Sequence, residues 1–470
     1  MKRLMVSVFT LLLASHTGVA QEARPLPAPD ERYKADILLV VAHPDDEGAA
    51  TPYLARAIYD EHKRVAVVFT TRGGSGGNDF SPEHGPALAD IREQEGRRAC
   101  ATLGITNVWF LDGKDTASQN VLNSLANWGH GANLEALVRI VRLTRPEVIL
   151  SWLPSIFIGE NHGDHQASGV LATEAFDLAG DPVAFPAQVA GASKRLEPYL
   201  ENLTPWQPKE IYFFSDASDE KQFAGKGPAY SVKEISPSQK KPYWRLALEA
   251  AKPHLTQFPG EIHMLADLNE EQLEKLMSDP EHAWWSEPMT LIFGKATVQT
   301  RPTDPIFPDI EPVGKQPSGL AKSGDDVGIA SNSKEPVTLE LGDPWHFYGE
   351  FRHAHKLTNL PIARIPEIAA KDGSVVGIPL VITRKAGAAR EITVKVTAPS
   401  GWKVISGEGR FLLPDVEMNY LRVELQSPQI ADNELKGRQP DPIVVSGTAG
   451  DKSIGQAELR VLLRSSALPQ

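Results

Sequence analysis

Five stretches of the chain each carry a continuous apolar run: residues 35–42, 64–71, 106–112, 146–152 and 209–216. Unbroken apolar runs of this length suit strands covered on both faces, as in a parallel sheet between helices. Between them apolar residues recur at helical spacing. Examples are "TPYLARAIYDEHKR", "ALADIREQEGRRACATLG", "NLEALVRIVRLTR" (Leu134, Leu137, Val138, Val141) and "DHQASGVLATEAFDLAG". This alternation predicts a doubly wound α/β domain over residues 34–300. Pro, Gly, Ser and Asp then accumulate without a period, which predicts an irregular connection over 301–359. Beyond it the period becomes two: Ile392, Val394 and Val396, then Leu421, Val423 and Leu425. That alternation predicts an antiparallel all-β sandwich over 360–470.

The first 20 residues stand apart from this pattern. Lys2 and Arg3 precede a short apolar run and then small residues around Ala20. This is the layout of a secretory signal peptide, followed by a linker over 21–33. A secreted or periplasmic location is therefore expected, with no membrane-spanning segment after cleavage.

Composition narrows the picture further. The apolar content of 41% and charged content of 23% are those of a globular chain. The formal net charge is -12; loss of residues 1–20 removes Lys2 and Arg3 but no acid, giving -14. A chain this acidic is a poor partner for nucleic acid or an anionic membrane surface. Its one cysteine, Cys100, lies in a helical pattern and reads as a small buried apolar residue. No intrachain disulfide is available, so packing must supply the stability.

In open α/β sheets, chemistry collects beyond the carboxyl ends of the strands. The first strand is followed by "HPDDE", the second by "TRGGSGGND", the third by "DGKDTAS" and the fourth by "SWLPSIFIGENHGDHQAS". His43 and Asp46 are three apart; so are His162 and His165, with Asp164 between them. These suffice for a His/Asp/His metal site with an open position, as catalytic zinc requires. Each stretch also has a plainer reading. "PDDE" makes a good helix start, with Pro and acids at the positive end of the helix dipole, and "NHGDHQAS" makes a capped one. Found together at one sheet edge, they favour the metal, which also offsets the repulsion among Asp45, Asp46 and Glu47. "TRGGSGGND" lacks the ending of a phosphate loop, and its glycines read as allowing close backbone approach to a ligand or metal. Arg72 is a candidate for binding a substrate hydroxyl or anion, or else a surface residue. His130, Trp128 and Trp152 are candidates for pocket lining or for packing.

"AHPDDE" followed by "HGDH" resembles the PIG-L/LmbE-like N-acetyl-sugar deacetylases, and "IREQEGRRACATLGI", "FLDGKD" and "ALEAAKPHLTQF" are similar to further segments of that family. The resemblance covers roughly residues 34–295. It implies a Rossmann-like fold, zinc or another divalent metal, and removal of an acetyl group from an N-acetylated sugar or glycan. By its motifs, His43, Asp46 and His165 are metal ligands and Asp45 is the general base. His162 stabilises the oxyanion with Asp164 as its neighbour, while Arg72 and Asp115 contact substrate. Gly163 stands where the family often has Pro, and the loop after the second strand lacks the family's usual Gly-Glu. The C-terminal part resembles an immunoglobulin-like accessory domain. Another amidase or esterase specificity, and a carbohydrate-binding protein with a relict site, are the alternatives.

Overall fold

The computed structural model describes residues 30–155, 162–191, 201–215, 223–257, 264–265, 268–277, 288–307, 335–363, 365–429 and 440–464. The signal-like segment lies outside the described residues. The five apolar runs form strands β1 (Ile37–Val41), β2 (Val65–Thr71), β3 (Asn107–Gly113), β4 (Val148–Trp152) and β5 (Glu210–Phe214). Short strands β6 (Ala229–Tyr230) and β7 (Met289–Thr290) pair as a ribbon, and β8 (Ile292–Ala296) closes the large sheet. The sheet order is β3-β2-β1-β4-β5-β8, parallel except for β8 against β5.

β1 shows why its sequence is apolar throughout. Leu38 and Val40 enter one core, Ile37, Leu39 and Val41 the other, and all five are fully buried. Each such side chain removed from water contributes about 1.5–3 kcal/mol. The first core is filled by α3 (Val121–Trp128), α4 (His130–Thr144) and α5 (Gly163–Leu178). The opposite one takes residues of α1 (Thr51–Tyr59) and Cys100 of α2 (Pro86–Thr102), the latter as expected for a small buried residue. Helices α6 (Pro186–Val189), α7 (Tyr243–Ala251) and α8 (Glu270–Met277) follow, with Tyr243 and Leu246 of α7 in that second core. No helix among the described residues is long and apolar enough to cross a membrane.

The C-terminal strands form two sheets around a shared core. One has the order β10-β17-β16-β12-β14 and the other β13-β15-β11-β9. The strands are β9 (Val337–Leu341), β10 (Glu367–Lys371), β11 (Val375–Arg384), β12 (Glu391–Thr397), β13 (Lys403–Ser406), β14 (Gly409–Leu412), β15 (Met418–Gln426), β16 (Ile443–Ala449) and β17 (Lys452–Arg464). β12 alternates as read, with Ile392, Val394 and Val396 buried.

Two features differ from the sequence reading. Residues 301–359 are not uniformly irregular, since they contain β9 and helix α9 (Trp345–Ala354). β9 pairs antiparallel with β11 and buries Val337, Leu339 and Leu341. Five alternating residues are easily hidden among turn-forming neighbours. In addition, β10 runs parallel to β17, because a period of two records which face is buried and carries no strand direction.

The two parts pack into one continuous apolar cluster. Asp177 of α5 accepts from Lys295 at 2.5 Å and lies 2.7 Å from His355 Nδ1, while Asn359 donates to the Phe293 carbonyl at 2.8 Å.

Candidate metal centre

β1 and β4 are neighbours, and the chain leaves β1 toward β2 and β4 toward β5, in opposite directions, which opens a crevice beyond their ends. His43 and Asp46 follow β1, while His162 and His165 lie at the start of α5, after β4. The structure brings His43, Asp46 and His165 together, with one ligand atom from each within 4.8 Å of the others. His43 Nδ1 is 3.4 Å and His165 Nε2 3.3 Å from Asp46 Oδ1. Donors at 2.0–2.2 Å around a tetrahedral ion are spaced about 3.3–3.6 Å apart, so these residues fit a divalent metal of the zinc type.

Asp46 is anchored by its other oxygen. Oδ2 accepts from the backbone N–H of Ala42 at 2.9 Å and of His43 at 2.8 Å, and from Trp152 Nε1 at 2.9 Å. The Trp152 ring also stacks on His165, with centroids 4.2 Å apart and planes 4° from parallel. Of the aromatic residues considered for the pocket, Trp152 alone is placed in this cluster. Trp128 is in the core and His130 is 2.7 Å from Glu174.

The far nitrogen of His43 is also held. Nε2 lies 3.4 Å from both Asp115 Oδ1 and Asp164 Oδ2. Burial alone would lower the His43 pKa, but Asp46, Asp115 and Asp164 raise it well above its ordinary value. Burial likewise opposes ionisation of Asp46, and His165 and His43 override it, taking the carboxyl well below the usual range. Such mutual stabilisation marks a site built for charge. His43, His162 and Asp164 form a second grouping around the same ring. There, Asp164 Oδ2 also accepts from Thr116 N–H at 2.8 Å, and His162 Nδ1 accepts from Asp164 N–H at 3.1 Å.

That last bond fixes a tautomer. A neutral His162 whose Nδ1 accepts carries its proton on Nε2, where it can donate. Burial, then the charges of His43 and His165, lower its pKa to about 4, so the ring is neutral near pH 7.

Asp45 is adjacent in sequence but differently placed. Its backbone has φ 127°, rare for a residue other than glycine. Arg92 holds the turn by donating to Asp45 Oδ1 at 3.0 Å, the Pro44 carbonyl at 2.8 Å and the Gly73 carbonyl at 2.9 Å. Burial raises the Asp45 pKa despite Arg92, making the carboxylate a stronger base. A Cβ on Gly73 would lie 2.5 Å from the Arg92 guanidinium carbon, and one on Gly76 2.7 Å from Nη1. These glycines thus make room for Arg92, where a ligand or metal was expected.

The two residues read from the sequence as substrate contacts both have protein partners in the structure. Arg72 pairs with Asp90 and with Glu93, the latter at 2.8 Å. Asp115 is turned inward, onto His43 and onto Ser75 N–H at 2.7 Å. Residues that the sequence reading did not assign to the site are Arg92, Glu47 and His254. Glu47 Oε1 lies 2.5 Å from His254 Nε2, and its Oε2 accepts from Asp45 N–H at 3.0 Å. Arg92 and His254 lie in "IREQEGRRACATLGI" and "ALEAAKPHLTQF", the segments that carry the secondary resemblance.

A parallel-sheet fold with a His/Asp/His cluster at its crossover point defines a candidate metal site. Residues 38–176 match the family described as "PIG-L: GlcNAc-PI de-N-acetylase", and the chain carries a PIG-L family domain there. Over 188 residues it is 34% identical to "1D-myo-inositol 2-acetamido-2-deoxy-alpha-D-glucopyranoside deacetylase 1" of Frankia alni, covering 36% of this chain and 59% of that one. A deacetylase with the same inositol glycoside in its name, from Thermobifida fusca, is 26% identical over 255 residues, covering 47% and 82%. The match thus spans little more than half the length of the first of these curated relatives. Among solved structures, the N,N'-diacetylchitobiose deacetylase of Pyrococcus horikoshii is similar at 22% identity and a TM-score of 0.38, covering 55% of this chain and 84% of that one.

Proposed function

We propose that this protein is a metal-dependent deacetylase that removes the acetyl group from an N-acetylated sugar or glycoconjugate. The observation that carries this reading is the convergence of His43, Asp46 and His165 beside a base, Asp45. The names of the curated relatives support the substrate class. A divalent ion such as zinc, held by His43, Asp46 and His165, would polarise an amide carbonyl and acidify a water molecule.

The chain's own residues account for the proton traffic. Asp45, with its raised pKa, takes the proton from the attacking water at its carboxylate. His162, neutral and protonated at Nε2, donates to the oxyanion as it develops. Asp115 and Asp164 orient the His43 ring from its far side. The amine leaves after taking a proton from Asp45 or through His162, giving acetate and an amino sugar.

The signal-like residues 1–20 support action outside the cytoplasm, on an external glycan. Cell fractionation with N-terminal sequencing tests this; an intact Met1 in the cytosolic fraction contradicts it. The activity is tested by metal analysis of the purified protein and a screen of N-acetylated and O-acetylated glycans. Free amine and acetate from N-acetyl substrates, lost on chelation and restored by Zn2+, are expected. Acetate from O-acetyl substrates alone would make the protein an esterase, and a metal-free, inactive protein would leave only the binding alternative.

A further inference from the structure

The loop joining β3 to α3, residues 114–120, runs between the metal centre and the β-sandwich. Its inner side is tied to the centre. Asp115 faces His43, and Thr116 N–H donates to Asp164 Oδ2 at 2.8 Å. The Ser118 carbonyl accepts from Gly163 N–H at 2.7 Å. A proline at 163 would have no N–H to give. A Cβ there would also lie 2.8 Å from the Ser118 oxygen and 3.0 Å from the Asn120 oxygen, so the loop is pressed against the start of α5.

The outer side of the loop is tied to the sandwich. The Gln119 side-chain amide pairs in both directions with the backbone of Ala369 in β10: Nε2 donates to the carbonyl at 2.9 Å, and Ala369 N–H donates to Oε1 at 2.8 Å. β10 is an edge strand with β17 as its neighbour in the sheet, so Gln119 satisfies edge groups as another strand would. A second tie runs from Tyr348 of α9 to buried Gln166, the residue after His165.

We infer that the β-sandwich is a working part of the candidate centre: through Gln119 it braces the 114–120 loop, and so sets Asp115 and Asp164 against His43. Gln119 is then a positioning residue, acting through the loop. The account of turnover rests on the deacetylase reading, whereas the brace itself does not.

The test compares Gln119→Ala with Asn359→Ala in the full-length protein. Asn359 bridges to the Phe293 and Gly294 carbonyls of β8, a different part of the boundary. Amide hydrogen exchange over 114–120 is expected to quicken about tenfold in Gln119→Ala and to stay unchanged in Asn359→Ala. On an N-acetylated glycan that the wild type deacetylates, Gln119→Ala should lower kcat about tenfold with KM within about twofold, while Asn359→Ala leaves both unchanged. Unchanged loop exchange in Gln119→Ala overturns the brace, and equal quickening in both variants reduces it to general loosening. Faster exchange with unaltered kcat overturns the positioning role. If the wild type hydrolyses no acetamide, the deacetylase reading fails, and the exchange result still decides the brace.

Discussion

Asp46 and Glu47 are neighbours, both buried, yet they face two different clusters. Glu47 is closed: one oxygen is 2.5 Å from His254 and the other accepts from Asp45 N–H. Asp46 is half-closed. Three N–H groups hold Oδ2, while Oδ1 looks at two imidazole nitrogens from 3.3 and 3.4 Å. A satisfied pair holds backbone in place; a carboxylate anchored on one side and shared at long range on the other is built to receive a cation. Asp45, the residue before them, is kept in its φ 127° turn by Arg92 and Glu47. On the proposed reading, the five-residue motif would divide its acids among ion, proton and scaffold.

The largest effect is expected at Asp46. Asp46→Asn removes the charge shared by His43 and His165 and should weaken zinc binding by more than the roughly 10–100-fold that outer partners contribute, abolishing turnover. Elemental analysis and calorimetric titration with Zn2+ check this. Asp45→Asn should retain metal and lose about 10²–10⁴-fold in kcat, read from acetate release. Equal metal loss in the two variants would erase the distinction between them. Glu47→Gln keeps an acceptor but takes the charge from His254, and should cost about 1.5–3 kcal/mol of stability with metal content intact, read from denaturant unfolding. Trp152→Phe preserves an aromatic face for His165 while removing one of the three donors to Asp46. Zinc affinity should fall about tenfold, and unaltered affinity would show that two backbone donors suffice.

Much of this division could be read from the chain, for physical reasons. Continuous apolar runs revealed β1 and β4, and the parallel alternation made their ends neighbours. His43, Asp46 and His165 therefore converge as the motifs implied. Arg92 was harder to see, because a charged residue within a helical pattern looks like a solvated face, and His254 because it lies beyond the end of α7, far in sequence from the two motifs. Only the fold shows Arg92 turned inward, onto Asp45 and the space left by Gly73 and Gly76. Arg72 was read from the sequence either as a substrate contact or as a surface residue, and its local pairing with Asp90 and Glu93 on α2 could not be read there. The strand at 337–341 was hidden by composition, since its pairing with β11 spans a sequence separation that no local period reports.

The central claim is that one divalent ion binds between His43, Asp46 and His165, and that the Glu47 cluster beside it binds none. Metal-to-protein ratios for the wild type, Asp46→Asn and Glu47→Gln, after equilibration with Zn2+ and removal of excess, test this most directly. The account predicts about one ion per chain in the wild type and in Glu47→Gln, and little in Asp46→Asn. A ratio in Asp46→Asn equal to that of the wild type, or an equal loss in Glu47→Gln, would contradict it.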